Sequence, residues 1–211
     1  MEQTSDSAPS SDAERRHSPR QSTSRPPGPA ATPATDAHLG NRLRDVSWRA
    51  VAREAACVAL LALVAVVFFW PVVSGRAWLP RGGGDSVSFL FPMYRFAADS
   101  LHDGVIPFWN PHQYAGAPFL ADNQSGLFYP FNLLLFLLRP GFGYGGIEAL
   151  VVWHFFLAGV AMYACLRLLR PEIPLGRPAA LLGALAFMLS DVFITHIGNL
   201  NLIAVAAWLP L

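Results

Sequence analysis

The chain is 211 residues long, 53% hydrophobic and only 14% charged, with a mean hydropathy of +0.36. That balance excludes an ordinary soluble domain and points to an integral membrane protein. A formal net charge of +1 leaves no electrostatic footprint for nucleic acid, and the basic residues are all Arg, which reads as a compositional bias rather than a function.

Residues 1–46 are rich in Ser, Pro, Ala, Thr and Arg and nearly devoid of large apolar side chains. Such a segment buries too little surface to offset its ordering entropy, so a disordered cytoplasmic tail is expected. The first apolar run follows at once. From Ala55 to Val73, AACVALLALVAVVFFWPVV is uncharged, and at about 1.5 Å per residue it reaches roughly 28 Å, close to the hydrocarbon thickness of a bilayer. A cleavable signal peptide would have a shorter apolar core followed by a small-x-small site, so an uncleaved anchor is expected.

Arg42, Arg44, Arg49 and Arg53 cluster before this run, whereas Arg76, Arg81, Arg95 and Arg139 are spread over the long segment after it. The positive-inside rule then places the N-terminus in the cytoplasm and residues 74–146 in an outer loop. A second run at 147–169 returns inward and ends among Arg167, Arg170 and Arg177, in agreement with that orientation. A third, at about 179–198, goes out again. A fourth begins at Leu200 and reaches Leu211 after about twelve residues, too few to span. The expected fold is an all-α polytopic protein of the plasma (inner) membrane. Residues 47–211 would supply the N-terminal part of a larger membrane domain, with three complete spans and a truncated fourth.

Cys57 and Cys165 each sit inside an apolar run, which argues against a disulfide framework or a Cys-based zinc site. The six histidines show no HExxH or other paired spacing. His154, in the middle of the second run, reads as a hydrogen-bonded packing residue.

The loop between the first two spans is crowded with Trp, Tyr, Phe, Pro and amide side chains, suited to the headgroup layer. SVSFLFPMYRFAADSLHDG brings Phe89, Met93, Phe96 and Leu101 within reach of one helical face, as in a helix lying along the membrane. GLFYPFNLLLFLLRP is apolar for only about thirteen residues, which suits an interfacial or re-entrant helix. In FWNPHQYAGAPFLADNQ, Trp109 and Tyr114 offer aromatic faces on which a ligand ring could stack. Asn110, Gln113, Asp122, Asn123 and Gln124 are placed to bond hydroxyls. The same residues also suit a Pro- and Gly-rich loop whose amides bond its own backbone. Asp191 lies roughly two turns inside the outer end of the third run, where an ionisable side chain marks function unless the helix breaks early. His196 falls at the mouth of the same end.

The ordered motifs GGGDS after the first span, GVIPFWNP, YAGAPF, ADNQ and FYPFN, with ALAFMLSDVFITHIGNLNLIAVAAWLPL beyond, resemble the YfhO-type family. That family belongs to the GT-C class of multi-span, lipid-linked glycosyltransferases, and the resemblance covers about residues 50–211. It implies an enzyme that transfers a sugar from a polyprenyl-phosphate donor to an acceptor on the outer face of the membrane. It also implies that Asp85 is the acidic residue such enzymes carry soon after the first span, acting as general base on an acceptor hydroxyl. The competing role for Asp85 is an N-cap of the helix that follows. Arg81 and Arg95 are candidates for the donor phosphate. Asp122 is the second carboxylate, since some members of the wider class use two acids and sometimes a divalent cation. A transporter or flippase for lipid-linked sugars, or a non-catalytic assembly protein, is the rival reading.

Overall fold

A computed structural model describes residues 48–79, 84–138, 141–168 and 175–211. The expected disordered tail lies outside them, as do Arg42, Arg44, Arg81, Arg139 and Arg170. Among the described residues the chain is mostly helical, with one antiparallel pair of two-residue strands. The long helices are α1 (Trp48–Phe68) and α5 (Tyr144–Leu168), with α6 (Arg177–Met188) and α7 (Asp191–Thr195) forming one interrupted rod. These three are long and apolar enough to cross a membrane. Shorter elements are α2 (Trp70–Val73), α3 (Phe91–His102), α4 (Pro130–Leu138) and α8 (Leu200–Trp208), with strands β1 (Trp109–Asn110) and β2 (Ala117–Pro118).

The first helix begins seven residues before the apolar run and stops at Phe68, five residues before the run ends. Arg49, Arg53 and Glu54 are therefore part of its first turns, and Pro71, which has no N–H to offer, separates α2 from it. Neighbouring helices run antiparallel. Along α1 and α5 the matched positions are Glu54 with Arg167, Leu61 with Gly159, and Phe69 with Phe155. Along α5 and α6 they are Leu166 with Gly183 and Gly159 with Met188. One end of the bundle thus gathers Arg167 and Arg177, and the other gathers the 69–143 segment and the α6–α7 break. These will be called the arginine end and the loop end.

Helices in lipid gain little from apolar burial against one another, so close backbone approach and polar contacts must hold them. Both are present. A Cβ on Gly159 would stand 2.8 Å from Met188 Sδ, and one on Gly183 would stand 2.5 Å from Leu166 Cδ1. At the arginine end, Glu54 accepts from Tyr163 Oη at 2.5 Å, from Arg167 at 2.9 Å and from Arg177 at 2.8 Å, which ties α1, α5 and α6 together. Arg167 also donates to the Leu175 carbonyl at 2.8 Å. Two of the arginines that read as free topogenic charges are thus partners of one carboxylate.

The third run does not form one straight helix to Asn199. It ends at Met188, Ser190 is extended (ψ 163°), and α7 starts at Asp191. A Ser-Asp pair competes for backbone hydrogen bonds and favours starting a helix over continuing one. Asp191 accordingly occupies the exposed first turn of a new helix, and the expectation of a carboxylate two turns deep in a continuous span is corrected.

At the loop end, α3 and α4 close over the bundle through Tyr94, Phe136 and Phe142, whose ring centroids lie 5.1–6.2 Å apart. The buried face of α3 is Met93, Tyr94, Ala97 and Ala98. Phe89, Phe96 and Leu101 are half-buried, so the inward stripe sits beside the one expected, with Tyr94 at its centre.

Candidate functional site

The 69–143 segment builds two clefts and one isolated carboxylate. Gly84 has φ 115°, a conformation that only glycine adopts without strain. After it comes a wide turn with π-type hydrogen bonding, Ser86–Leu90, which passes into α3 at Pro92. Ser88 Oγ donates back to the Gly84 carbonyl at 3.1 Å, and buried Ser86 Oγ donates to the Gly198 carbonyl at 2.8 Å. The second bond fixes this turn to the α7–α8 connection. Asp85 stands directly before Ser86, exposed, and its carboxylate makes no capping hydrogen bond. The N-cap role therefore lacks its defining contact, and the carboxylate stands uncapped beside the turn that Ser86 ties to Gly198.

The first cleft, about 280 Å³, lies between α3, α4 and α8. Asn132 Nδ2 donates to Tyr94 Oη at 3.0 Å and to the Gly126 carbonyl at 3.2 Å, and Tyr94 donates on to Asn201 Oδ1 at 3.4 Å. Gly126 has φ 53°, and a Cβ there would stand 2.6 Å from Asn132 Nδ2. Tyr129 lines the same cleft. Its hydroxyl lies 2.8 Å from His154 Nε2 and accepts from Trp208 Nε1 at 3.0 Å. Burial pushes the Tyr94 phenol up to about 12, and burial likewise raises Tyr129. Both remain neutral hydroxyls at physiological pH. With Asn123 and Gln124 also on its wall, the cleft offers amides, phenols and an indole but no charged side chain. Leu200, Ala204 and Val205 complete the wall, so the lining is largely apolar and carries neutral polar groups, most of them already bonded to one another.

Asp122, next in the chain to Asn123, is occupied. Its Oδ1 accepts from the Gln124 N–H at 2.8 Å and caps the short turn Asn123–Ser125.

The second cleft, about 660 Å³, brings together Arg95, Asn110 and Gln113 with Asp99 and His112. Arg95 Nε is 3.7 Å from Asp99 Oδ2, an exposed pair one turn apart. Buried Asn110 accepts from the His112 N–H at 2.9 Å and reaches Gln113 Oε1 at 3.5 Å, so its amide organises the loop. β1 and β2 pair Trp109 with Pro118 and Asn110 with Ala117. The connection closes with Gly116 N–H donating to the Gln113 carbonyl at 2.8 Å, and it holds Tyr114 (φ 51°) and Ala115 (φ 60°) in the left-handed region. Each such residue costs about 1–2 kcal/mol. The Trp109 ring lies over Gly116, where a Cβ would stand 2.7 Å from it, and Tyr114 is 82% exposed. The strained turn displays Tyr114 to its surroundings.

The candidate residues therefore fall into three places. Asp85 is tied through Ser86 to the turn that follows His196. Arg95, Asn110 and Gln113 share the larger cleft. Asn123 and Gln124 share the smaller one, and Asp122 precedes them in the chain. Trp109 and Tyr114 belong to the exposed hairpin, Asp191 and His196 are exposed at α7, and Arg81 lies outside the described residues. His196 Nδ1 is 3.0 Å from both the Val192 carbonyl and Thr195 Oγ1. Among the described residues no group of three His, Cys, Asp or Glu side chains converges.

Sequence reasoning missed Tyr94, Tyr129, Asn132, Asn201 and Trp208, which form the smaller cleft, and Glu148, a buried carboxylate in α5. An asparagine within the apolar runs FNLLLFLL and LNLIAVAA was the available signal, because a lone amide there needs a partner. No family model, curated protein or solved structure matches the chain.

Proposed function

We propose that the chain supplies the substrate-binding loop end of a multi-span membrane glycosyltransferase, of the YfhO-type and GT-C-like kind that its motifs resemble. It would move a sugar from polyprenyl phosphate to a hydroxyl acceptor at the outer face. The observation that carries the reading is the Asp85 carboxylate, uncapped and exposed on a turn that Ser86 pins to Gly198. In the reaction the acceptor oxygen attacks the anomeric carbon as its proton passes to Asp85. The bond from that carbon to the phosphate oxygen breaks, and polyprenyl phosphate leaves with the electron pair. The smaller cleft supports the same reading because its uncharged amides and phenols suit sugar hydroxyls. Nine residues separate Asp85 from Tyr94, roughly 13 Å along the helical segment. A ligand reaching from the cleft to the base must therefore be longer than one sugar ring, as a sugar with its acceptor is.

Transport is the second reading, favoured by the break at Leu189–Ser190 in the third candidate span, since interrupted helices line many carrier sites. Asp85→Asn separates the two. Radiolabelled sugar transfer from polyprenyl phosphate would be measured in membranes carrying either form at equal abundance. Loss of a general base lowers turnover about a hundredfold to ten-thousandfold. Asn preserves helix initiation, so a defect of that size with normal abundance supports the transferase. Activity within about threefold of the parent removes Asp85 from the chemistry, whereas absence of transfer by the parent itself leaves transport as the better account.

A further inference from the structure

Glu148 lies four residues into α5, about 6 Å along its axis. The helix is 25 residues long, roughly 37 Å, against a hydrocarbon core of about 30 Å, so each end reaches into the headgroup layer. Glu148 therefore stands where headgroups meet acyl chains. It is 8% exposed. Its Oε1 accepts from the Leu79 N–H at 2.9 Å, and Tyr144 donates to the Leu79 carbonyl, so the main chain beyond α2 is held from both sides. The second carboxylate oxygen has no partner among the described residues.

Glu148 is also on the wall of a groove of about 660 Å³ between α1, α2 and α5. Every other side chain lining it is apolar, chiefly Ala62, Ala65 and Val66 from α1 and Ala149, Val152 and Phe156 from α5. Phe156 is eight residues beyond Glu148, so the groove runs about 12 Å further toward the arginine end. Exposed Leu63, Val67 and Trp70 extend the apolar surface around it.

We propose that this groove binds an aminophospholipid, with its primary ammonium on Glu148 and one acyl chain laid along α1 and α5. The choice of occupant follows from charge. A carboxylate in an apolar wall needs a cation or several donors to stabilise it. A primary ammonium supplies both charge and N–H donors, whereas the phosphate of an anionic lipid, polyprenyl phosphate included, meets a like charge. The small side chains leave room for a chain of methylenes where larger residues would close the helices together. This site rests on the membrane placement in the reading above but not on transfer chemistry, and it excludes the groove as the place where the donor phosphate docks.

The test is lipid retention by the purified full chain in native mass spectrometry, with phosphatidylethanolamine, phosphatidylcholine and phosphatidylglycerol supplied at equal concentration. Retention of phosphatidylethanolamine should exceed that of phosphatidylglycerol by about tenfold, the scale of one charge-assisted hydrogen bond. Phosphatidylcholine, with no N–H to donate, should fall between them. In Glu148→Gln the side-chain oxygen still accepts from Leu79, so the fold should hold while the headgroup preference disappears. Ala62→Phe, which fills the groove without touching the carboxylate, should lower retention of all three lipids. Equal retention of the three headgroups, a preference for phosphatidylglycerol, no retained lipid at all, or an unchanged preference in Glu148→Gln would each overturn the assignment. The labelling experiment described below tests membrane placement and Asp85→Asn tests transfer, so failure of either is distinguishable from failure here.

Discussion

Removing the Tyr129 hydroxyl should strand one buried acceptor, and the geometry sets the size of the effect. His154 is fully buried, and its Nδ1 lies 2.6 Å from the Leu150 carbonyl, an oxygen that can only accept. Nδ1 therefore carries hydrogen. With no carboxylate bonded to it the ring is neutral, so Nε2 is an acceptor, and the Tyr129 hydroxyl 2.8 Å away is its donor. Tyr129→Phe leaves Nε2 without a partner, which costs about 1–3 kcal/mol, more than the net worth of an ordinary hydrogen bond. The indole N–H of Trp208 loses its acceptor too, but Trp208 is 42% exposed and that loss is small. We expect a total near 2 kcal/mol, read from reversible unfolding of the chain in detergent micelles. The decisive comparison is the double variant Tyr129→Phe/His154→Leu. Removing both partners leaves no buried acceptor stranded, so its cost should fall short of the sum of the single variants by at least about 1 kcal/mol. Additive costs, together with a Tyr129→Phe effect below about 0.5 kcal/mol, would refute the polar chain from Leu150 through His154 to Tyr129.

Two further outcomes follow from titration and topology. The sequence contains no Lys, so between pH 9 and 12 tyrosines dominate the titration. The Tyr94 phenol stays protonated in the native state up to about 12, while in the unfolded chain it ionises near 10. The Tyr94 contribution should therefore be level from pH 9 to 10 and fall by about 1.4 kcal/mol per unit between about 10 and 12, with Tyr129 acting in the same direction. Unfolding midpoints measured across that window should drop steeply for the parent and less for Tyr94→Phe, and a flat parental profile would contradict the burial of Tyr94. For topology, cysteines introduced at exposed Asp103 and Gly176, which lie at the loop end and the arginine end, should react with an impermeant thiol reagent from opposite sides of the membrane. Labelling of Gly176→Cys in intact cells would invert the orientation and move Asp85 to the wrong face.

What could be read from the sequence followed from how local the cause was. The three long helices were legible because length and polarity suited to a bilayer leave an uninterrupted apolar run in the sequence. Their ends were not. Glu54 stands just outside the first apolar run, yet it lies on α1 opposite Arg167 and Arg177, which come from two other helices. An apolar-run criterion ends a helix at its first carboxylate, whereas a carboxylate paired across helices continues it. The break at Leu189–Ser190 was weighed from LSDVF and is present. Asp85 was singled out by its place after a glycine run, and the structure adds that its cap bond is missing, a fact no spacing rule contains.

The smaller cleft shows the limit most clearly. Asn132 bonds Tyr94 across 38 positions, and Tyr94 bonds Asn201 across 107. Each amide looked like a solitary polar residue in an apolar run, and only the docking of α3, α4 and α8 supplies the partners. Asn123 and Gln124 are legible because a short polar loop displays them together, but the phenols, the indole and the other amides of the cleft come from separate elements. Their burial raises the two phenols and removes charge from the wall. That lack of charge, rather than the aromatic richness of the loop, is the feature on which the proposed sugar site rests.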